Sequence, residues 1–395
     1  MSNPKNKIWL LFFILALVAA FCWQKQSNRA ELKKQIQQQE SKSPWPVYRA
    51  DTSFSGVSQE RILSLPLKLL WKFPTKDEVK SSPVINQGML FIGSNDGRLY
   101  ALKTKDGQKI WDFSVEGRIE AAPFLLEDKV YFGSSEGKVY AMYAQTGKLL
   151  WSYETQGKIL ASANSFVKES NSYILAGSYD NFLYSIHAIS GELLWKYETE
   201  SYVNGSAVLW EKDKAVLGGC DAHLHILSLQ EGKPTGKIKL AAHIGASPAV
   251  EGNVAFVGHY AGGFACIDLV EQKILWEYKS SGSKSAFLSS PAIAQDRVLV
   301  CSRDGFCYCF HKKTGEKIWA FRTKGEIDSS PVVWENRVVF GSGDGRLYIV
   351  SLEKGNLIES HEIGFSIASS PAIAEGKIFI GCDDGYVYAF GNDAP

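Results

Sequence analysis

The chain has 395 residues, 45% of them hydrophobic, with 43 Lys+Arg against 42 Asp+Glu and a formal net charge of +1. It is long enough for two or three ordinary domains, so an internal repeat is the first thing to look for. There is no basic excess, and the cationic residues fall singly along the chain without forming a stripe, which excludes nucleic acid as the expected partner.

In chain order, residues 8–23 form an uncharged apolar run preceded by Lys5 and Lys7, the arrangement of a signal anchor or signal peptide spanning residues 1–23. As a helix its 16 residues reach roughly 24 Å against a hydrocarbon core of roughly 30 Å, which suits a thin anchor or a cleavable peptide. Val18-Ala19-Ala20 offers small residues for cleavage, whereas Ala19 and Phe21 before Cys22 depart from a lipidation signal. Residues 24–43 are polar and free of Gly and Pro, and read as a stalk. The expected location is therefore the cell envelope, periplasmic if the cell is Gram-negative, with the N-terminal segment in the membrane and residues 44–395 outside the cytoplasm.

Beyond the stalk come Trp45-Pro46-Val47-Tyr48-Arg49, then Gly56-Val57-Ser58, then a strand over residues 67–73. Further along, Val338-Val339-Phe340-Gly341 and Leu347-Tyr348-Ile349-Val350 flank Asp344-Gly345, which supplies the positive φ that a tight hairpin turn needs. The same phrase recurs. Its markers are Gly93, Gly133, Gly177, Gly218, Gly258, Cys301, Gly341 and Gly381, at spacings of 40, 44, 41, 40, 43, 40 and 40 residues. Eight units of this period, each with strands A to D, predict an all-β, eight-bladed β-propeller of four-stranded antiparallel blades. The last unit ends after its strand C, so the N-terminal strand at 67–73 is expected to complete the last blade as its strand D and close the ring.

A second phrase joins strands C and D, as in Ala141-Met142-Tyr143-Ala144-Gln145-Thr146-Gly147-Lys148-Leu149-Leu150-Trp151. It resembles the tryptophan-docking repeat of the PQQ-like (quinoprotein-type) β-propeller family, whose pattern is Ala-x-Asp-x-x-Thr-Gly-Lys-x-x-Trp. The resemblance covers about residues 45–390, and it implies that Trp71, Trp111, Trp151, Trp195, Trp276 and Trp319 pack between blades. Leu240 and Glu359 stand at or near the two remaining positions, and of the family's Asp only Asp268 is kept.

Many members of that family are dehydrogenases that hold a quinone against a vicinal cysteine pair and a calcium ion. Here Cys307-Tyr308-Cys309 is the nearest approach to such a pair. A disulfide from Cys301 to Cys307 or Cys309 is compatible with one hairpin, but nothing in the spacing demands it, and a small buried thiol serves equally at Cys266 and Cys309, where Ala101, Ala141 and Ala389 stand in other units. His223 and His225 flank one turn, as a solvated pair or as two metal ligands. Asp96, Asp180, Asp221, Asp304, Asp344 and Asp384 read as turn residues bonding backbone N–H groups. No catalytic residue, metal site or cofactor follows.

The expectation is a non-catalytic, membrane-tethered scaffold for protein–protein interaction. Within the family the chain is similar in plainness to a cofactor-free subunit of the outer-membrane β-barrel assembly machine, which makes a β-barrel assembly complex the partner that the resemblance implies. The alternatives are a propeller that senses a cofactor or sugar in its axial funnel, or a degenerate quinoprotein enzyme. Candidate partner-binding residues follow the B–C turns: Arg98, Phe182, His223, Phe306, Arg346 and Tyr386, extended by Phe287 and Phe365 in two D–A loops. Phe182, Phe306 and Tyr386 are equally suited to packing against a neighbouring turn.

Overall fold

The computed structural model describes residues 45–60, 64–280 and 285–392. The signal, stalk and Cys22 readings lie outside those residues.

Eight β-sheets follow one another around an axis. Blade I shows the plan: strand A is Val84–Asn86, strand B Met89–Gly93, strand C Arg98–Lys103 and strand D Lys109–Ser114, paired antiparallel in that order. Blades II to VII occupy residues 124–154, 164–198, 208–239, 249–279, 292–322 and 332–362. Blade VIII has only three strands of its own, Ala372–Ala374, Lys377–Gly381 and Tyr386–Gly391. Its fourth is Lys68–Pro74, with Trp71 opposite Ala389 and Phe73 opposite Val387. The expected closure is present, and it removes the two open edges that a linear array of sheets would leave.

Burial falls from the axis outward. Strand B of blade I is buried along its whole length, while strand D has only exposed and half-buried side chains. The marker glycines are explained by a close approach: a Cβ on Gly93 would sit 2.3 Å from the side chain of Ile119, and one on Gly133 2.0 Å from that of Ile159. In each case the isoleucine comes from the D–A loop that leads to the next blade. A residue without a side chain lets strand B and this loop touch directly, which is why glycine recurs at seven of the eight markers.

The tryptophans dock as the resemblance implied. Each indole N–H donates to a carbonyl in the next blade: Trp71 to Thr104 at 3.1 Å, Trp111 to Ala144 at 2.9 Å, Trp151 to Ala188 at 2.9 Å, Trp195 to Leu229 at 3.0 Å, Trp276 to Lys312 at 3.0 Å and Trp319 to Leu352 at 2.9 Å. The ring lies against the C–D turn glycine of that blade, Gly107 for Trp71 and Gly147 for Trp111, both at positive φ. Ala101, Ala141, Cys266 and Cys309 stand opposite a tryptophan in the strand register, where only a small side chain fits.

The Leu240 assignment needs correction. In blade IV the residue in register with the docking position is Gly236, opposite Ile226, and Leu240 lies beyond the strand as a buried loop residue. Gly236 faces the side chain of Gln272, which takes the place of the turn glycine at φ 52°. The large and small partners have changed sides. Glu359 does occupy its expected position, opposite Ile349.

Candidate functional site: the B–C turn face and the filled axis

The B–C turns and D–A loops make one face of the ring, fastened by backbone bonds that repeat in every blade. In each, a turn N–H donates to a carbonyl of the loop leading into that blade: Asn95 to Glu78, Ser135 to Arg118, Tyr179 to Lys158, Cys220 to Tyr202, Tyr260 to His243, Arg303 to Ala286, Gly343 to Glu326 and Asp383 to Ser366, at 2.8–3.1 Å. The turn carboxylates accept the expected backbone bonds, as in Arg98 N–H to Asp96 at 3.0 Å and Phe306 N–H to Asp304 at 3.1 Å. They also do something not anticipated. Tyr100, Tyr184, Tyr308 and Tyr348 donate their hydroxyls to Asp96, Asp180, Asp304 and Asp344 at 2.6–2.8 Å, four residues back in each case. Burial and this bond together push the phenol pKa of each up.

Blade IV has histidine at the tyrosine position. His225 is fully buried, with Nε2 3.0 Å from Asp221 and Nδ1 3.0 Å from the Tyr197 hydroxyl, so it is not part of a solvated pair. Desolvation lowers the His225 pKa. Burial pushes the Asp221 carboxyl up, but the neighbouring His225 and the backbone N–H of His223 prevail and hold it below its ordinary value. The arrangement is an ionised Asp221 accepting from a neutral His225. Among the described residues no group of three or more His, Cys, Asp or Glu is placed to hold a metal ion.

The six residues expected on the turn exits share one position, the first of strand C, and each is half-buried. Strand D of the same blade holds five of them. Arg98 pairs with Asp112 and Arg346 with Glu362. Lys196 lies 4.2 Å from the Phe182 ring centroid, Lys72 4.6 Å from that of Tyr386, and the Arg322 guanidinium 5.6 Å from that of Phe306. His223 turns its Nδ1 onto the Asp221 carbonyl at 2.8 Å. Phe365 is 58% exposed, as a surface residue should be.

Phe287 does not belong to this surface. It is fully buried, packed between Phe264, Tyr278 and Tyr308, and it fills in blade V the place that Ile119 fills in blade I, over Gly258. Its column in the repeat, Val79, Ile119, Ile159, Val203, Ile244, Ile327 and Ile367, is apolar throughout and would have marked it as core.

Two exposed tyrosines were missed. Tyr202 and Tyr260, in neighbouring blades, are 51% and 42% exposed, and Tyr202 stacks on Tyr179 at 4.9 Å. On the same face a groove of 730 Å³ opens between blades VI and VII, lined by Arg303, Asp304, Arg322, Lys324, Glu326 and Tyr348. Arg303 is committed to Asp328 by two bonds of 2.7 Å, and the pairing raises its pKa.

The larger omission is the axis. Residues 45–58 run round the inner edge of the ring and serve its strands A in turn. The carbonyls of Trp45, Pro46, Thr52, Ser53, Ser55 and Gly56 accept backbone N–H groups of Ile85, Leu125, Leu209, Val250, Ile293 and Val333 at 2.8–3.1 Å. In blade III the Asn164 side chain replaces the backbone, donating to Thr52, and in blade VIII the Ser58 hydroxyl donates to Ile373. Val57–Ser58 adds a parallel fifth strand to blade VII. Strand A has an open inner edge whose N–H groups need acceptors, and this segment supplies them.

Its side chains fill the centre. Trp45 and Phe54 are buried, and the Tyr48 hydroxyl lies 2.9 Å from Ser330 Oγ. Arg49, 1% exposed, donates from Nη2 to the carbonyls of Pro291 and Pro331 at 2.9 and 2.6 Å, and desolvation lowers its pKa. The sequence showed this stretch as Trp-Pro-Val-Tyr-Arg without a repeat partner, and that absence was the available signal.

A search of curated proteins finds no match to this sequence. Among solved structures, BamB from Moraxella catarrhalis superposes with a TM-score of 0.70 at 19% identity, covering 84% of this chain and 99% of that one. A europium-containing methanol dehydrogenase gives 0.74 at 10% identity over 91% of this chain and 100% of that one. A quinohemoprotein alcohol dehydrogenase from Comamonas testosteroni gives 0.73 at 13% identity over 92% of this chain and 83% of that one. At these identities the likeness is one of fold. The family model described as outer membrane protein assembly factor BamB matches residues 67–216 and 220–393, and the chain belongs to that family.

Proposed function

We propose that the protein is a non-catalytic scaffold of the cell envelope, tethered by its N-terminal segment, which holds protein partners during outer-membrane protein assembly. The observation that carries this reading is the filled axis. Residues 45–58 bond to strands A around the ring, and Tyr48 and Arg49 occupy the centre up to Ser330, Pro291 and Pro331. A ligand on the axis would have to displace a segment whose acceptors satisfy strand A. The turn face, in contrast, presents Tyr202, Tyr260 and Phe365 beside a charged groove, a mixture of aromatic and cationic groups suited to a protein partner. Family membership supports the same assignment.

The test is recovery of β-barrel assembly components with the full-length protein from cross-linked envelopes, alongside titration with PQQ and calcium followed by absorbance. Recovery without quinone binding is expected. Stoichiometric quinone binding with turnover of an alcohol or sugar would favour the degenerate-enzyme alternative.

A further inference from the structure

Blade VI departs from the repeat at two positions, and the two face each other. In the other seven blades the strand B residue at this position is glycine, opposite Leu99, Val139, Leu183, Leu224, Phe264, Leu347 or Val387. In blade VI the pair is Cys301 opposite Cys307. Both are fully buried.

The backbone places them suitably for a bond. Ser302 N–H donates to Phe306 at the turn, so the next pair, Cys301 and Cys307, falls at a non-hydrogen-bonded position. The backbone of Cys301 confirms this: its N–H donates to Ser289 Oγ at 2.8 Å and its carbonyl accepts from the same hydroxyl at 2.9 Å, so neither group is spent on strand C. Non-hydrogen-bonded antiparallel pairs have Cα atoms about 4.5 Å apart with side chains on one face, within the range of about 4.4–6.8 Å that a disulfide spans. The thiols are neighbours as well: the Cys307 thiol donates to Cys301, and burial together with this bond pushes the Cys307 pKa up. The third cysteine of the hairpin, Cys309, stands opposite Leu299 and Trp319.

We propose that Cys301 and Cys307 are a disulfide site that staples the B–C hairpin of blade VI. The oxidant is a small-molecule or protein disulfide. One cysteine, as thiolate, attacks it and expels the first thiol; the second cysteine attacks the resulting mixed disulfide and expels the other. Two protein thiols are thereby oxidised, the oxidant disulfide is reduced to two thiols, and the two protons lost by the cysteines are accounted for on the leaving groups. Because both sulfurs are buried, exchange takes place while the hairpin is open, before blade VI packs or during local opening, and the finished bond is shielded from reductant. The alternative is a volume exchange, in which a sulfur added at Cys301 fills the space vacated by a larger residue at Cys307.

The full-length protein, incubated with excess oxidised glutathione, blocked with an alkylating agent and digested with trypsin, separates the two. Cleavage after Arg297, Arg303 and Lys312 puts Cys301 and Cys307 in different peptides, so the bond joins residues 298–303 to 304–312. The linked pair is expected at 2 Da below the sum of the free peptides. It should persist in Cys309→Ala, whose replacement residue stands at that position in blades I and II, and disappear in Cys307→Leu. A Cys301→Gly/Cys307→Leu variant restores the repeat and provides a folded control with no link. Alkylated Cys301 and Cys307 after prolonged oxidation, or a link that survives Cys307→Leu, would overturn the proposal.

Discussion

Glu359 Oε1 accepts the backbone N–H of Leu67 at 2.9 Å, in the position where six other blades carry a docking tryptophan. The reason lies in the closure of the ring. A docking indole needs the C–D turn glycine of the next blade, but in blade VIII strand C ends at Gly391 and strand D begins at Lys68, so no C–D turn joins them and the backbone entering strand D stands in its place. A carboxylate capping the incoming backbone takes over. Replacing Glu359 with Leu should therefore destabilise the fold by about 1–3 kcal/mol, the usual cost of a buried donor left without its acceptor. Glu359→Gln, which retains an acceptor, should cost less. Urea denaturation of the two variants checks the order.

At the other exception the steric relation is inverted, with Gly236 on the strand and Gln272 on the turn. Gly236→Trp alone should destabilise, because its side chain would meet Gln272. The double variant Gly236→Trp/Gln272→Gly recreates the pairing used elsewhere and should recover most of the loss. A double-mutant cycle in which the two changes simply add would show that the docking contact is not a transferable unit. For scale, Trp151→Ala at a standard site should cost about 3–5 kcal/mol.

Removing the N-terminal elements should have two separable effects. A chain starting at Leu65 lacks the axial segment but keeps strand D of blade VIII; it should remain monomeric with a lowered melting temperature. A chain starting at Lys76 also lacks Lys68–Pro74, exposes the edge of Tyr386–Gly391 and should aggregate. Light scattering distinguishes them. A monomeric Lys76 chain that melts with the parent would contradict the closure.

Stability should fall with acidification. The pKa of His225 is lowered by burial, so below its unfolded value of about 6.5 the unfolded chain binds a proton that the folded chain does not, and unfolding gains as pH drops. His225→Tyr, the residue at this position in blade III, should flatten the dependence between pH 8 and pH 5.5. The urea midpoint at the two pH values is the measurement.

The repeat was legible because one contact, strand B against the D–A loop, favours glycine at a fixed interval in every blade but the sixth. The docking tryptophans were legible because an indole and a positive-φ glycine recur with them. What escaped notice was whatever occurs only once. Residues 45–58 repeat nothing, since a segment circling the axis meets a different blade every few residues and has no periodicity of its own. Leu240 was mistaken for a docking residue because strand D of blade IV, with Pro234 and Gly236, offers no aromatic to fix its register. Phe287 was taken for surface because an aromatic in a loop suggests an interface, although its apolar column argued for core. Of the candidate surface, the placement of Arg98, Phe182, Phe306, Arg346 and Tyr386 at one repeated position was readable, but their engagement by strand D was not, because it depends on cross-strand neighbours of unlike type.

The most direct test of the scaffold reading uses the exposed groups of the turn face. Full-length protein carrying Tyr202→Asp, Tyr260→Asp and Phe365→Asp should keep a melting temperature close to the parent, since these are exposed side chains outside the buried core. It should nonetheless lose β-barrel assembly components that the parent recovers from cross-linked envelopes. Undiminished recovery by this variant at unchanged stability would contradict docking through this face, and the absence of those components from the parent's own cross-links would contradict the assembly role itself.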